Sequence, residues 1–253
     1  MRRLSKPWPP TNVSRAGEAP RSFTQAETDL LAALAGSANR SATARTEFDR
    51  VDKAKLREVM YREQSGLCVF CEQQVTAAQP EPRIDHWRPL ALNPDLALHW
   101  RNLHLSCPMS ETCDDAKGGR PLKVNAVDDD LPWPADFDYE RHIGFGRRGE
   151  IYVRSDTALD ASTREALRLA VEHEPDARGD AQSILNLNHP ALVAARKAVL
   201  DSEMDRLQRD FEGDHATHED REQRATTLLQ QDPLPPFVSI RVSWLRKHLG
   251  KGK

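Results

Sequence analysis

All four cysteines of this 253-residue chain fall in one stretch, as Cys68-x2-Cys71 and Cys107-x5-Cys113. Two residues between thiols let both face one ion from a tight turn. Two such arms complete a tetrahedral zinc shell with Zn–S bonds of about 2.3 Å. The alternative is four unrelated buried thiols, but the clustering of the pairs favours zinc. Such a site is structural, because four protein sulfurs leave no coordination position for an activated water. Any chemistry must come from other residues nearby.

Redox compartment supports thiolates over disulfides. The opening Met1-Arg2-Arg3-Leu4 lacks the apolar stretch of a secretory leader. No run approaches the roughly 18 apolar residues of a membrane helix. The expected location is therefore the cytoplasm, with no membrane partner, where thiols stay reduced.

Charge is distributed unevenly. Residues 1–60 carry 11 Lys and Arg against 7 Asp and Glu, residues 61–125 carry 7 against 8, and residues 126–253 carry 18 against 24. Proteins that grip nucleic acid unaided are usually clearly basic, since phosphate contacts supply most non-specific affinity. The net charge here is −3. Either the basic N-terminal segment does the gripping or a partner delivers the substrate.

The pattern reads as α+β in three parts. Residues 1–60 are an N-terminal arm, Pro-rich and extended to residue 22, followed by helices. Thr24-x-x-Glu27 resembles a capping box opening a helix through Leu30, Leu31 and Leu34. A loop over 36–45 precedes one helix carrying Phe48, Val51, Leu56, Val59 and Met60, stopped at Gly66. Residues 61–125 are short apolar snippets, turn residues and cysteines, which suits a metal-held unit. Residues 126–253 are mainly helical after a hairpin closed by Gly149-Glu150-Ile151-Tyr152-Val153. Helices are expected from Ser162 and from Pro190, with Asn188 near the latter's cap. Residues 214–232 are too polar to place, and a last amphipathic helix spans Phe237 to Leu249.

Between the cysteine pairs lies Ile84-Asp85-His86-Trp87-Arg88-Pro89. Phosphodiester hydrolysis needs a base for water, a divalent ion for the leaving oxygen and a cation for the flanking phosphate. On a strand, adjacent Asp85 and His86 point to opposite faces, so the carboxylate can hold an ion while the imidazole addresses substrate. Asp114, directly after Cys113, is the candidate second carboxylate, with Asp115 the alternative. Lys117 reads as a phosphate contact or a solvated helix charge, and Arg88 as a second nucleic-acid contact. His99 and His104 read as structural, and Trp87 and Trp100 as aromatic walls of a small core.

The order of these pieces resembles the HNH endonucleases: a cysteine knuckle, Asp85-His86-x-x-Pro89, Asn102-Leu103, then Cys113-Asp114-x-x-Lys117. That resemblance implies a ββα-metal core, with Asp85 as metal ligand, His86 as general base and Asn102 steadying the base's loop. Asp114 completes the metal site, where many relatives carry His or Asn. The implied catalytic ion is Mg²⁺ or Mn²⁺, beside the structural Zn²⁺. Leu67-Cys68-x-x-Cys71-Glu72, Trp100-x-Asn102-Leu103-x-Leu105-Ser106-Cys107 and Ile184-Leu185-Asn186-Leu187-Asn188 are similar to one subgroup. It is the HNH component of Septu-type and some retron anti-phage systems, which implies a nucleic-acid substrate, DNA before RNA. It also implies an ATPase partner of the ABC/SMC-like kind. The competing reading is a non-catalytic zinc-knuckle scaffold.

Overall fold

The computed structural model describes residues 1, 10, 11, 13–15, 21–76, 80–123, 130–172, 183–211 and 216–247. Most of the expected N-terminal arm lies outside them. Among them, no helix is long and apolar enough to cross a membrane.

The chain is α+β with two small antiparallel sheets. Helices α1 (Phe23–Ala35), α2 (Arg40–Arg50) and α3 (Lys53–Glu63) come first. Strands β1 (Arg83–His86) and β2 (Leu103–Ser106) follow, then the short α4 (Cys113–Lys117) and α5 (Tyr139–His142). A hairpin of β3 (Ile143–Phe145) and β4 (Ile151–Val153) leads into α6 (Ala161–Val171), α7 (Pro190–Asp210), α8 (His218–Leu229) and α9 (Val238–Lys247).

Side-chain caps decide the boundaries that periodicity misplaces. Ser22, not the expected Thr24, caps α1 by accepting from the Gln25 amide. The single helix expected across Phe48 to Met60 is two, because Val51 turns extended and Asp52 accepts from the Ala54 and Lys55 amides. An Asp that can satisfy orphan N–H groups starts a new helix more readily than it continues an old one. Residues 40–45, expected as loop, are the first turns of α2, capped by Asn39. Asp160 caps α6, and the polar stretch after residue 216 forms α8 behind a Thr217/Asp220 capping box. His189, not Asn188, caps α7.

Asn188 has another task. Its Oδ1 accepts from the Ile151 amide and its Nδ2 donates to the Ile151 carbonyl, both at 2.8 Å, so it serves β4 as a strand neighbour. Arg196 of α7 is 1% exposed and donates to the carbonyls of Gly149 and Leu187. These two side chains clamp the hairpin to the start of α7.

One apolar cluster runs through all three expected segments, from Phe23 and Leu30 through Phe70, Trp87 and Leu105 to Leu167, Leu187 and Leu200. Trp87 is fully buried, stacked on Phe70 at 5.6 Å and tilted against Tyr139 at 5.7 Å, with its Nε1 donating to Leu131 O. A second cluster of Leu207, Leu228, Val238, Val242 and Leu245 joins α7, α8 and α9.

The clamp yields a stability test. Gly149 sits at φ +94°, and a Cβ there would meet Val193 O at 2.4 Å and Lys197 N at 2.9 Å. Gly149→Ala is expected to destabilise the chain by more than about 1 kcal/mol, read from the chemical-denaturation midpoint, since both backbone angle and space oppose it.

Candidate functional site

The sulfur cluster is built from two turns held against one strand. Val69 donates its amide to Leu105 O at 3.0 Å, which lays the Cys68–Cys71 turn along the outer edge of β2. Gln64 completes that edge: its Oε1 accepts from the Leu105 amide, and its Nε2 donates to the Leu105 and Leu67 carbonyls. A buried amide side chain thus does the work of a third strand. The second turn leaves β2 at Ser106 and returns at Cys113, whose amide donates to Leu185 O at 2.8 Å. Asn186 Nδ2 donates to Glu111 O at 2.7 Å beside it.

All four sulfurs are buried and lie within 4.8 Å of one another. Cys68 and Cys113 are 3.9 Å apart, Cys71 and Cys107 3.8 Å. A tetrahedron with arms of about 2.3 Å has edges of about 3.8 Å. The donor set and its spacing therefore fit a zinc ion. Burial pushes the Cys71 and Cys113 thiols well above their ordinary range, while hydrogen bonds from the neighbouring thiols hold Cys68 well below it despite its burial.

Glu72 extends the cluster's reach. Its carboxylate accepts from the Ser239 amide and its carbonyl accepts from Phe237, so the residue after Cys71 anchors the first turn of α9. An acid at a helix N-terminus meets unsatisfied N–H groups and the positive end of the helix dipole.

Strands β1 and β2 pair with Asp85 opposite His104 and His86 opposite Leu103, and α4 follows the second cysteine turn. This order of two strands and a helix brings Lys117 and Asp114 to Asp85, while the neighbouring His86 ring lies against Ala97 and Phe48. Asp85 is 4% exposed, and Asp114 lies close enough to feel its charge. Burial first, then the charge of Asp85, push the Asp114 carboxyl up to about 8. Asp115 turns away, accepting from the Glu111 amide and pairing with Arg83. Of the two candidate second carboxylates, Asp114 is the one brought to Asp85. Ser106, which sequence reasoning passed over, links the two centres: its Oγ lies 3.8 Å from the Cys68 sulfur and accepts from the Asp114 amide.

His86 is 7% exposed. Its Nε2 lies 3.0 Å from Ala97 O, and since a carbonyl only accepts, the neutral ring carries its proton there and leaves Nδ1 as the acceptor. Burial is the main cause that lowers its pKa to about 4, against the opposing charge of Asp85. Phe48 of α2 covers the ring edge-on, with centroids 4.7 Å apart. Neither Ala97 nor Phe48 carries a sequence signal, because one acts through its backbone and the other resembles any helix hydrophobe.

Asn102 is fully buried and closes the loop that presents Ala97. Its Oδ1 accepts from the Arg88 amide at 2.7 Å, and its Nδ2 donates to the Arg88 and Leu96 carbonyls at 3.1 and 2.9 Å.

The two expected nucleic-acid contacts are placed differently. Arg88 is partly exposed, with its guanidinium 4.5 Å over the Trp133 ring and its Nε 3.4 Å from Asp130. Lys117 is neither a phosphate contact on the surface nor a solvated charge. It is 1% exposed, and its ammonium donates to both oxygens of Asp85 at 2.8 Å and to His86 O. His104 is buried in the core against Trp87, as its structural reading requires, and His99 lies near the Trp133 ring.

No family model and no curated protein matches the chain.

Two outcomes follow from the geometry. Elemental analysis of purified protein should give one zinc per chain, and Cys71→Ser should abolish it and lower the thermal midpoint sharply, because binding energy in such sites is folding energy. Zinc-free protein with an unchanged midpoint would refute the site. Asn102→Ala strands three backbone groups and is expected to cost on the order of 3 kcal/mol. Hydrogen exchange should quicken across residues 87–102 while zinc content holds.

Proposed function

We propose that this chain is an HNH-type nuclease that hydrolyses phosphodiester bonds, with its reaction centred on Asp85, His86, Asn102 and Asp114. The observation that carries the reading is the orientation of His86. Its Nε2 is engaged by Ala97 O, so a neutral imidazole offers Nδ1 as the acceptor one residue from Asp85, whose charge acts on the ring. A purely structural histidine in a zinc knuckle has no use for that arrangement.

The donor chemistry fits a hard divalent cation. Asp85 and Asp114 supply adjacent oxygens suited to Mg²⁺ or Mn²⁺, while the four sulfurs select zinc. When bound, such an ion supplies Lewis-acid stabilisation of the phosphate and the leaving oxygen. The protein residues do the rest. His86 takes a proton from the attacking water at Nδ1. Ala97 O fixes the ring and stabilises its protonated form, and Asn102 fixes Ala97 by tying Leu96 to Arg88. Asp85 raises the basicity of His86 through its charge, offsetting part of the burial that lowers it. Arg88, braced on Trp133 two residues past the end of β1, is partly exposed and suits a flanking phosphate.

The resemblance to the Septu- and retron-associated HNH components extends this to an anti-phage effector acting on DNA with an ABC/SMC-like ATPase. A core segment with no excess of positive charge supports delivery of substrate by such a partner. A second reading has two observations in its favour: Asp85 is paired with Lys117 and His86 is covered by Phe48, as in a non-catalytic scaffold.

Cleavage of plasmid DNA decides between them, using the chain with its co-purifying partner and added Mg²⁺ or Mn²⁺. His86→Ala should lower the rate on the order of 10²-fold or more while leaving zinc content and the fold intact. Undiminished cleavage by that variant would hand the site to the scaffold reading.

A further inference from the structure

Lys117 is a buried lysine whose position a simple zinc knuckle does not explain. Its ammonium meets both Asp85 oxygens at 2.8 Å and the His86 carbonyl, and the side chain is 1% exposed. Removing two charges from water is costly, and an apolar pair of the same volume often serves stability as well. The pair is therefore weak as a stability device and informative as a placement. It sets a single positive charge on the carboxylate that the proposed reaction needs for its ion.

An ammonium and a divalent cation cannot share that carboxylate. Both would contact the same two oxygens, and like charges a few ångströms apart in a buried site repel strongly. Lys117 also sits at a helix end. It is the last residue of α4, followed by Gly118 at φ +54° and by Gly119, and a Cβ added at either glycine would meet nothing within 4 Å. The two glycines themselves are open to solvent, although Arg120 and buried Leu122 anchor the chain just beyond them, so the movement required is that of the lysine's flexible four-carbon stem.

We propose that Lys117 is a latch on the cation site: its ammonium stands in for the ion on Asp85, and a divalent cation loads only by expelling it. This rests on the reading of Asp85 and Asp114 as the ion's ligands. In the latched form Asp85 is neutralised and α4 is held against β1. In the loaded form the lysine is released toward solvent, where it becomes a free positive charge beside the centre. Loading and exposure of Lys117 are then one event.

The test uses the full zinc-loaded chain and Mn²⁺ as the probe. Lysines are acetylated with limiting acetic anhydride, with and without Mn²⁺, and each site is quantified by mass spectrometry. Lys117 should be among the most protected lysines without Mn²⁺ and should become reactive at saturation, with the other lysines unchanged. In Asp85→Asn it should be reactive under both conditions. A latch seated about nine-tenths of the time weakens apparent ion affinity about tenfold, so Lys117→Met should bind Mn²⁺ about tenfold tighter. Binding is read from the loss of the free Mn²⁺ paramagnetic resonance signal. If Asp85-dependent binding occurs while Lys117 stays protected, the latch is overturned and the metal centre stands. If neither wild type nor Lys117→Met binds Mn²⁺ through Asp85, the metal centre and the latch both fall. Should Lys117→Met not fold, the labelling of wild-type protein decides alone.

Discussion

The convergence of four sulfurs at tetrahedral-edge spacing is the constraint on which the surrounding structure rests. Strands of four residues bury too little surface to hold their own register. Here β2 is bracketed instead. Its partner β1 lies on one edge, and Gln64 with the Cys68–Cys71 turn lies on the other. Because β2 runs directly into Cys107 at one end and is hydrogen-bonded to the Cys68–Cys71 turn along its edge, any slip of one residue would pull Cys107 from the cluster. Register in this small sheet is set by sulfur positions as much as by side-chain alternation.

From that fixed strand the candidate chemistry follows by short links. Ser106 ends β2 and touches both the Cys68 sulfur and the Asp114 amide, so the two centres share one residue. The Asn102 hydrogen bonds shape the preceding loop, which delivers the Ala97 carbonyl to His86. The order of influence runs from cluster to strand, from strand to loop, and from loop to ring orientation. No step needs a large hydrophobic core of its own, although the common apolar cluster shields the whole.

What could be read from sequence divides along physical lines. The cysteine spacing and the Asp85-His86 adjacency are local patterns, and local patterns survive into structure because few residues set them. The hairpin at Gly149 and the helix from Pro190 were legible for the same reason. Cap positions were less so: Asp52, Ser22 and His189 win their places by hydrogen-bond geometry that apolar periodicity does not encode. Least legible were roles set by distant partners. Lys117 looks like any helix lysine until Asp85 is placed against it, and Asn188 looks like a helix cap until Ile151 arrives. Gln64, Glu72 and Phe48 belong to this class too, each doing its work with a residue more than 30 positions away.

The hydrogen bond from the Cys113 amide to Leu185 O carries a consequence for the order of synthesis. All four ligand sulfurs have been made once residue 113 is added, yet the backbone that aims the last of them is braced by a carbonyl 72 positions later. A nascent chain therefore holds all four thiols while its second turn is still unbraced. It reaches the native geometry there only when the segment around Leu185 and Asn186 has emerged from the ribosome and docked. Completion of the thiol set and final shaping of the same site are thus separated in time by the translation of about a quarter of the protein.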